Sequence, residues 1–132
     1  MANNKKRLFN LINASLGKRY KHFIRTVVDM EMVWLLDGGE GYCTYDDENG
    51  LNIIVYPSEE VAICFADGAT PVKMEIHDFC KECRKLISDN NINFAVFPNK
   101  SNFVQVSPQI LYEDLLMALE EVEDLDEDMF NE

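Results

Sequence analysis

The segment IHDFCKECRKLI, residues 76–87, places His77, Cys80 and Cys83 within one short stretch. Imidazole and thiolate groups are ligands that zinc prefers, and a Cys-x-x-Cys pair can also carry out thiol–disulfide exchange. Burial in the core is the third possibility, because a free cysteine behaves as a small hydrophobic residue and is often buried. The orientation of the three side chains on their element distinguishes these alternatives.

A helix over residues 76–87 would turn both cysteines toward its apolar side. At about 100° per residue, Cys80 and Cys83 lie within about 40° of Ile76, in the middle of the apolar stripe. Most of the charged side chains of the segment point elsewhere. We therefore predict that Cys80 and Cys83 pack in the core.

The alternatives for this segment are a metal site and a redox site, and both are less well supported. A structural zinc site normally has four ligands, whereas Cys43 and Cys64 stand alone in separate apolar runs. A redox-active cysteine usually lies at the N-terminus of its helix, where the dipole lowers its pKa. Cys80 would follow the first turn. We expect no metal and no cofactor at His77, Cys80 and Cys83.

Other motifs that carry chemistry are also missing from the sequence. It has no Gly-x-Ser-x-Gly nucleophile motif and no glycine-rich phosphate loop. The segments DGGEG (37–41) and DDENG (46–50) have the composition of turns, and the second lacks the ordered spacing of a calcium loop. No catalytic residue is predicted, and whether the protein is an enzyme stays open.

The elements that would position any site alternate irregularly between helix and strand. Helices are predicted over 3–13 and 18–29, from Ser58, over 76–87 and from Pro108, where Ser107 is a suitable N-cap. Strands are predicted over 32–36, 42–45, 51–56, 70–74, 91–97 and 102–106. This order predicts an α+β fold, with an antiparallel sheet made of a three-strand meander and a C-terminal hairpin, packed with four to five helices.

Length and composition indicate one globular domain. The 132 residues can bury a core without disulfides, and 47% of them are hydrophobic. We place the core of a single domain, residues 1–132, at about 17–120, followed by an acidic tail over 121–132. The residues after Met1 lack the apolar segment of a secretory signal, and no apolar run is long enough to span a membrane. We therefore expect a cytoplasmic protein with reduced thiols.

The charge of the chain is unevenly distributed. Residues 1–28 carry seven bases and no acid, whereas residues 29–132 carry five bases and 24 acids, a formal charge of −19. Such a surface repels nucleic acids and anionic membranes and attracts a basic protein. Solubility is the alternative purpose of the acids. The residues expected to bind a basic partner are Asp114, Glu120, Glu121, Glu123 and Asp124.

Two classes of function follow from these observations. The first is a non-catalytic protein-binding module, in its most specific form an immunity-type inhibitor of a basic toxin. The second is a small-ligand binder or enzyme with a pocket near the aromatic strands, lined by Trp34, Tyr42 and Tyr56. The oligomeric state does not follow from the sequence.

Three segments resemble a family of bacterial proteins catalogued as domain of unknown function number 2750. They are RYKHFIRTVVDMEMVWLL (19–36), FAVFPN (94–99) and VSPQIL (106–111), together with Pro57 after the third strand. The resemblance covers about residues 17–120 and implies a bacterial cytoplasmic protein. It implies no catalytic residues.

The sequence departs from the family pattern at four positions. The resemblance leads us to expect tryptophan at Tyr42 and Tyr56, where tyrosine keeps the ring and adds a hydroxyl. It also leads us to expect ordinary apolar residues at Cys80 and Cys83, in agreement with the core packing predicted from helical spacing.

Overall fold

The computed structural model describes residues 2–130 of the chain and the side chains of residues 5–123. Its helices are α1 (Ala2–Ile12), α2 (Leu16–Met30), α3 (Glu59–Cys64), α4 (Ile76–Leu86) and α5 (Pro108–Phe130). Its strands are β1 (Met32–Asp37), β2 (Thr44–Asp47), β3 (Gly50–Val55), β4 (Thr70–Glu75), β5 (Ile92–Val96) and β6 (Val104–Val106). Every predicted element is present within a few residues of its expected bounds, and the α+β class is confirmed.

Polar caps set the starts of the helices that follow a loop. The Ser58 hydroxyl accepts a hydrogen bond from the Val61 amide at 3.3 Å at the start of α3. The Ser107 hydroxyl accepts one from the Ile110 amide at 3.2 Å at the start of α5. Such bonds satisfy amides that have no partner inside the first helical turn. The serine signals in the sequence therefore predicted both starts correctly.

Two sheets form, and their strand order differs in detail from a meander with a hairpin. β1 pairs antiparallel with β4, and the second sheet has the order β2-β3-β5-β6. Within it, β3 and β5 are parallel, whereas β2–β3 and β5–β6 are antiparallel. Parallel neighbours need a long crossover connection, and the chain supplies one in α3, β4 and α4. Backbone bonds between Trp34 and Tyr56 link β1 to the residue after β3.

Gly50 marks the place where β3 begins beside the chain that leads into β5. The Leu51 amide donates to the Asn91 carbonyl at 2.8 Å. A Cβ atom at Gly50 would lie 2.0 Å from that carbonyl oxygen, and the φ angle of Gly50 is +113°. Only glycine combines this left-handed backbone with so close an approach. Gly50 is therefore required by the parallel pairing.

The core lies between the four-stranded sheet and helices α2, α4 and α5. Phe94 of β5 packs against Phe79 of α4, with ring centroids 5.3 Å apart. Phe23 of α2 and Leu111 and Leu115 of α5 are fully buried in the same cluster. Among the described residues, no helix has both the length and the apolar character needed to cross a membrane.

Candidate functional site

A groove of about 640 Å³ lies between α2 and α5. The apolar side chains of α2 form a stripe with two edges. Phe23 and Val27, on one edge, are fully buried in the core. Ile24 and Val28, on the other edge, line the groove. Residues one turn apart on a helix share a face, which explains why this edge is continuous.

α5 forms the opposite wall of the groove, and its apolar residues are likewise divided between the core and the groove. Leu111 and Leu115 point into the core, whereas Met117, Ala118 and Val122 line the groove. The Met117 side chain is 61% exposed. An unbranched, polarisable side chain of this kind adapts to different apolar partners. The groove therefore offers an apolar floor that an external segment could cover.

Tyr20 and Asp114 join the two helices at one end of the groove. The Tyr20 hydroxyl donates a hydrogen bond to the Asp114 carboxylate. Burial raises the pKa of Tyr20, and the bond to Asp114 and its negative charge raise it further. The phenol therefore stays protonated at neutral pH and holds the carboxylate in place. Asp114, one of the predicted partner-binding acids, lines the groove, and its Oδ2 accepts this bond.

Opposite charges line the two sides of the groove. Lys21 and Arg25 project from α2, and Glu121 projects from α5 near the Val122 end of the groove wall. Asp29 closes the α2 side. Within the described side chains, none of these charges forms an ion pair within 4 Å. In this part of the chain they are available to pair with charges on a bound molecule.

The other predicted partner-binding acids follow the same helix. Glu120 and Glu123 are exposed on α5 but lie outside the groove lining. At about 100° per residue, Glu123 lies about 180° around the helix from Asp114, and it is close enough to His77 of α4 for their charges to interact. Asp124 lies outside the residues whose side chains the structure describes, as does most of the predicted acidic tail. Among the described side chains, the structure thus places Asp114 and Glu121 of the predicted acids in the groove.

Arg19 anchors α2 to the loop between β5 and β6. Its guanidinium donates to the Phe97 carbonyl at 2.8 Å and to the Asn102 side-chain oxygen. The side chain is only 1% exposed, and burial lowers its pKa. In the described part of the chain no carboxylate pairs with it. Hydrogen bonds to carbonyl oxygens therefore hold this buried charge, and its role is structural.

The segment 76–87 contains helix α4, and its three candidate metal ligands lie in different environments. Cys80 and Cys83 belong to the buried core, and burial raises the pKa of Cys83 to about 12. His77 is exposed, and its Nδ1 lies 2.6 Å from Glu75 Oε1. The described residues contain no group of three or more histidine, cysteine or acidic side chains that could hold a metal ion. A thiol with so high a pKa is neutral at pH 7 and a poor nucleophile.

The three aromatic residues of the second hypothesis lie in different environments. Tyr56 is buried in the core, stacked on Phe65 at 5.6 Å between ring centroids. Trp34 is half-buried, and Tyr42 is 47% exposed beyond β1. None of the three lines either of the clefts described beside α2. A pocket lined by these three residues stays a prediction.

An amide cluster on the four-stranded sheet went unnoticed in the sequence. Asn52 is fully buried, and its Oδ1 accepts from Gln105 Nε2 at 2.6 Å. Its Nδ2 donates to the Tyr45 carbonyl at 3.0 Å. Tyr45 and Phe103 stack on each other with ring centroids 5.5 Å apart. Because the polar atoms of Asn52 are satisfied by neighbours, this cluster fixes strand register rather than offering free ligand groups.

Comparison with known proteins adds one finding. A family model described as "Protein of unknown function (DUF2750)" matches residues 20–115, more than half of the 132 residues. The matched range contains the α2 wall of the groove and ends at Leu115, before Met117 and Glu121 of the α5 wall. No curated protein and no solved structure matches the chain.

Proposed function

The chain belongs to the DUF2750 family of proteins of unknown function, and we propose that it is a non-catalytic module that binds a basic partner protein through the α2–α5 groove. The observation that carries the proposal is an exposed apolar floor between two helices, flanked by charges without ion-pair partners in the described structure. An amphipathic helix recognises such a groove through side chains spaced three or four residues apart.

The size of the groove fits a short helical segment. Its lining on α5 runs from Asp114 to Val122, which is roughly 12 Å at about 1.5 Å per residue. A partner helix of about two turns would place two or three apolar side chains against Ile24, Met117 and Val122. Anchors of this kind supply most of the binding energy in helix-in-groove complexes.

The charges of the groove set the expected chemistry and orientation of the partner. Asp114 and Glu121 attract basic side chains to the α5 wall. Lys21 and Arg25 repel a basic face from the α2 wall. Attraction on one side and repulsion on the other together fix one orientation. The partner segment would therefore turn its basic side toward α5.

The strong negative charge of the chain favours the same class of partner. Residues 29–132 carry five bases and 24 acids, so a cationic protein would be steered to the surface before docking. An immunity-type inhibitor that blocks a basic toxin in the bacterial cytoplasm is the most specific form of this proposal. Such an inhibitor needs fast association more than any chemistry of its own.

Affinity capture with charge variants tests the proposal. We expect the tagged protein to retain one basic protein from lysate of its source at low salt and to lose it at high salt. The double variant Asp114→Asn/Glu121→Gln should retain much less. Glu40→Gln/Glu48→Gln is the matched control, since it removes the same charge from exposed positions outside the groove. Equal loss in both variants, or no specific protein at either salt, would contradict the proposal.

A further inference from the structure

A second cleft, of about 660 Å³, opens between α1, α2 and α3. Its apolar lining comes from Leu8 and Leu11 of α1 and from Val61 of α3. Val61 is buried, and both leucines are partly buried against the core. The volume lies within the range of small-ligand sites, which hold roughly 300–1,000 Å³. The cleft is separate from the α2–α5 groove, and the two share no lining residue.

The polar groups of the cleft carry one charge of each sign. Arg7 of α1 and Glu60 of α3 both line it and are exposed. No ion pair within 4 Å joins them among the described side chains. Two opposite charges that face one cleft without neutralising each other suit a ligand that itself carries both signs.

His22 is the third titratable group of the cleft, and it is uncharged at neutral pH. Its Nε2 lies 3.2 Å from the Thr26 hydroxyl oxygen. Burial lowers the pKa of His22, and the positive charges of Arg25 and Arg7 lower it further. The imidazole therefore contributes hydrogen bonding without adding a second positive charge to the cleft.

We propose that this cleft binds a free α-amino acid with an aliphatic side chain. The carboxylate pairs with Arg7, the ammonium group pairs with Glu60, and the side chain packs against Leu8, Leu11 and Val61. A ligand with only a carboxylate would leave Glu60 unpaired beside a second negative charge. A ligand with only an ammonium group would leave Arg7 unpaired beside a second positive charge. The requirement for both charges distinguishes this site from a general anion or cation site.

Nuclear magnetic resonance provides a direct test, because the chain has two histidines and one of them lines the cleft. Titration with L-leucine should move the ring signals of His22 saturably and leave those of His77 on α4 unchanged. The analogues 4-methylpentanoate and 3-methylbutylamine each lack one charge. They should bind at least about tenfold more weakly, the loss expected for one charge-assisted hydrogen bond. No saturable shift of His22, or equal binding of either analogue, would overturn the proposal.

Paired variants separate direct contact from general charge. Arg7→Gln and Glu60→Gln should each weaken L-leucine binding by at least about tenfold. Lys6→Gln and Glu59→Gln make the same charge changes at neighbouring exposed positions outside the cleft and should bind as the wild type does. Circular dichroism confirms that all four variants are folded. Equal weakening in the control variants would show a long-range charge effect and overturn the assignment of Arg7 and Glu60.

Discussion

Replacing Gly50 with alanine tests the close approach between β3 and the chain that enters β5. The added Cβ would lie 2.0 Å from the Asn91 carbonyl oxygen and 2.7 Å from its carbonyl carbon. Both are backbone atoms, so no side-chain rotation relieves the overlap. The strands must separate, and the 2.8 Å bond from the Leu51 amide to Asn91 is lost or stretched.

The structure supplies a matched control in Gly39. Its φ angle is +102°, close to the +113° of Gly50, but nothing lies within 4 Å of its added Cβ. Gly39→Ala should therefore cost only backbone strain, about 1–2 kcal/mol after the lower entropy of the unfolded chain is considered. Gly50→Ala adds about 1–3 kcal/mol of overpacking and about 1 kcal/mol for the hydrogen bond. Its total of roughly 3–6 kcal/mol is a large part of a typical domain's stability.

Urea denaturation followed by circular dichroism measures both changes in the free energy of unfolding. We expect Gly50→Ala to unfold at clearly lower urea concentration than Gly39→Ala, with a difference of about 2–4 kcal/mol. In thermal unfolding the difference should be on the order of 10 °C. Equal destabilisation by the two variants would refute the close approach and, with it, the parallel pairing of β3 and β5.

Two further predictions follow from buried titratable groups. Because the pKa of Tyr20 is raised from its ordinary value of 10.0 in the folded protein, its contribution to stability is complete below pH 10 and is lost as pH rises above it. Tyr20→Phe should therefore be less stable than the wild type at pH 7 by about 1–3 kcal/mol, because the bond to Asp114 is lost. Above pH 10 its free energy of unfolding should fall less steeply with pH than that of the wild type. An equally steep fall in both proteins would contradict this reasoning. With a thiol reagent, native protein should react at exposed Cys64, while Cys80 and Cys83 react only after unfolding; rapid reaction of Cys83 would contradict its burial.

Local sequence patterns predicted the elements because local interactions determine them. Serine caps, glycine-rich turns and the spacing of apolar residues act over a few positions. They placed α2 and β3 within two residues of their observed bounds, and they placed the start of α5 correctly at Pro108. The family resemblance, carried by residues 19–36, 94–99 and 106–111, is also confirmed.

Strand pairing depends on contacts that the local pattern does not contain. A hydrophobic run such as 51–56 specifies a strand but not its neighbour. The crossover through α3, β4 and α4 makes β3 and β5 parallel, whereas adjacency in sequence favoured antiparallel pairing. The close approach at Gly50 was hidden for the same reason, because Asn91 is far along the chain.

The groove could be predicted only in part. The apolar stripes of α2 and α5 and the acids of α5 were visible from the sequence, and Asp114 and Glu121 were among the expected binding residues. Which edge of each stripe stays uncovered depends on how the two helices pack. Tyr20, Ile24 and Met117 were therefore missed as groove residues. The partner of the Tyr20 hydroxyl, Asp114, could be found only once α2 and α5 were placed side by side.

Two neutral variants of α5 test whether a partner binds through the α2–α5 groove. Met117 lines the groove and is 61% exposed, whereas Ile110, 51% exposed on the same helix, lies outside it. The dissociation constant of the captured partner should be measured for Met117→Gln and Ile110→Gln. We expect at least about tenfold weaker binding for Met117→Gln, the loss of more than 1 kcal/mol typical of a central apolar contact, and no change for Ile110→Gln. Unchanged binding by Met117→Gln, or equal weakening by both variants, would contradict binding through the groove.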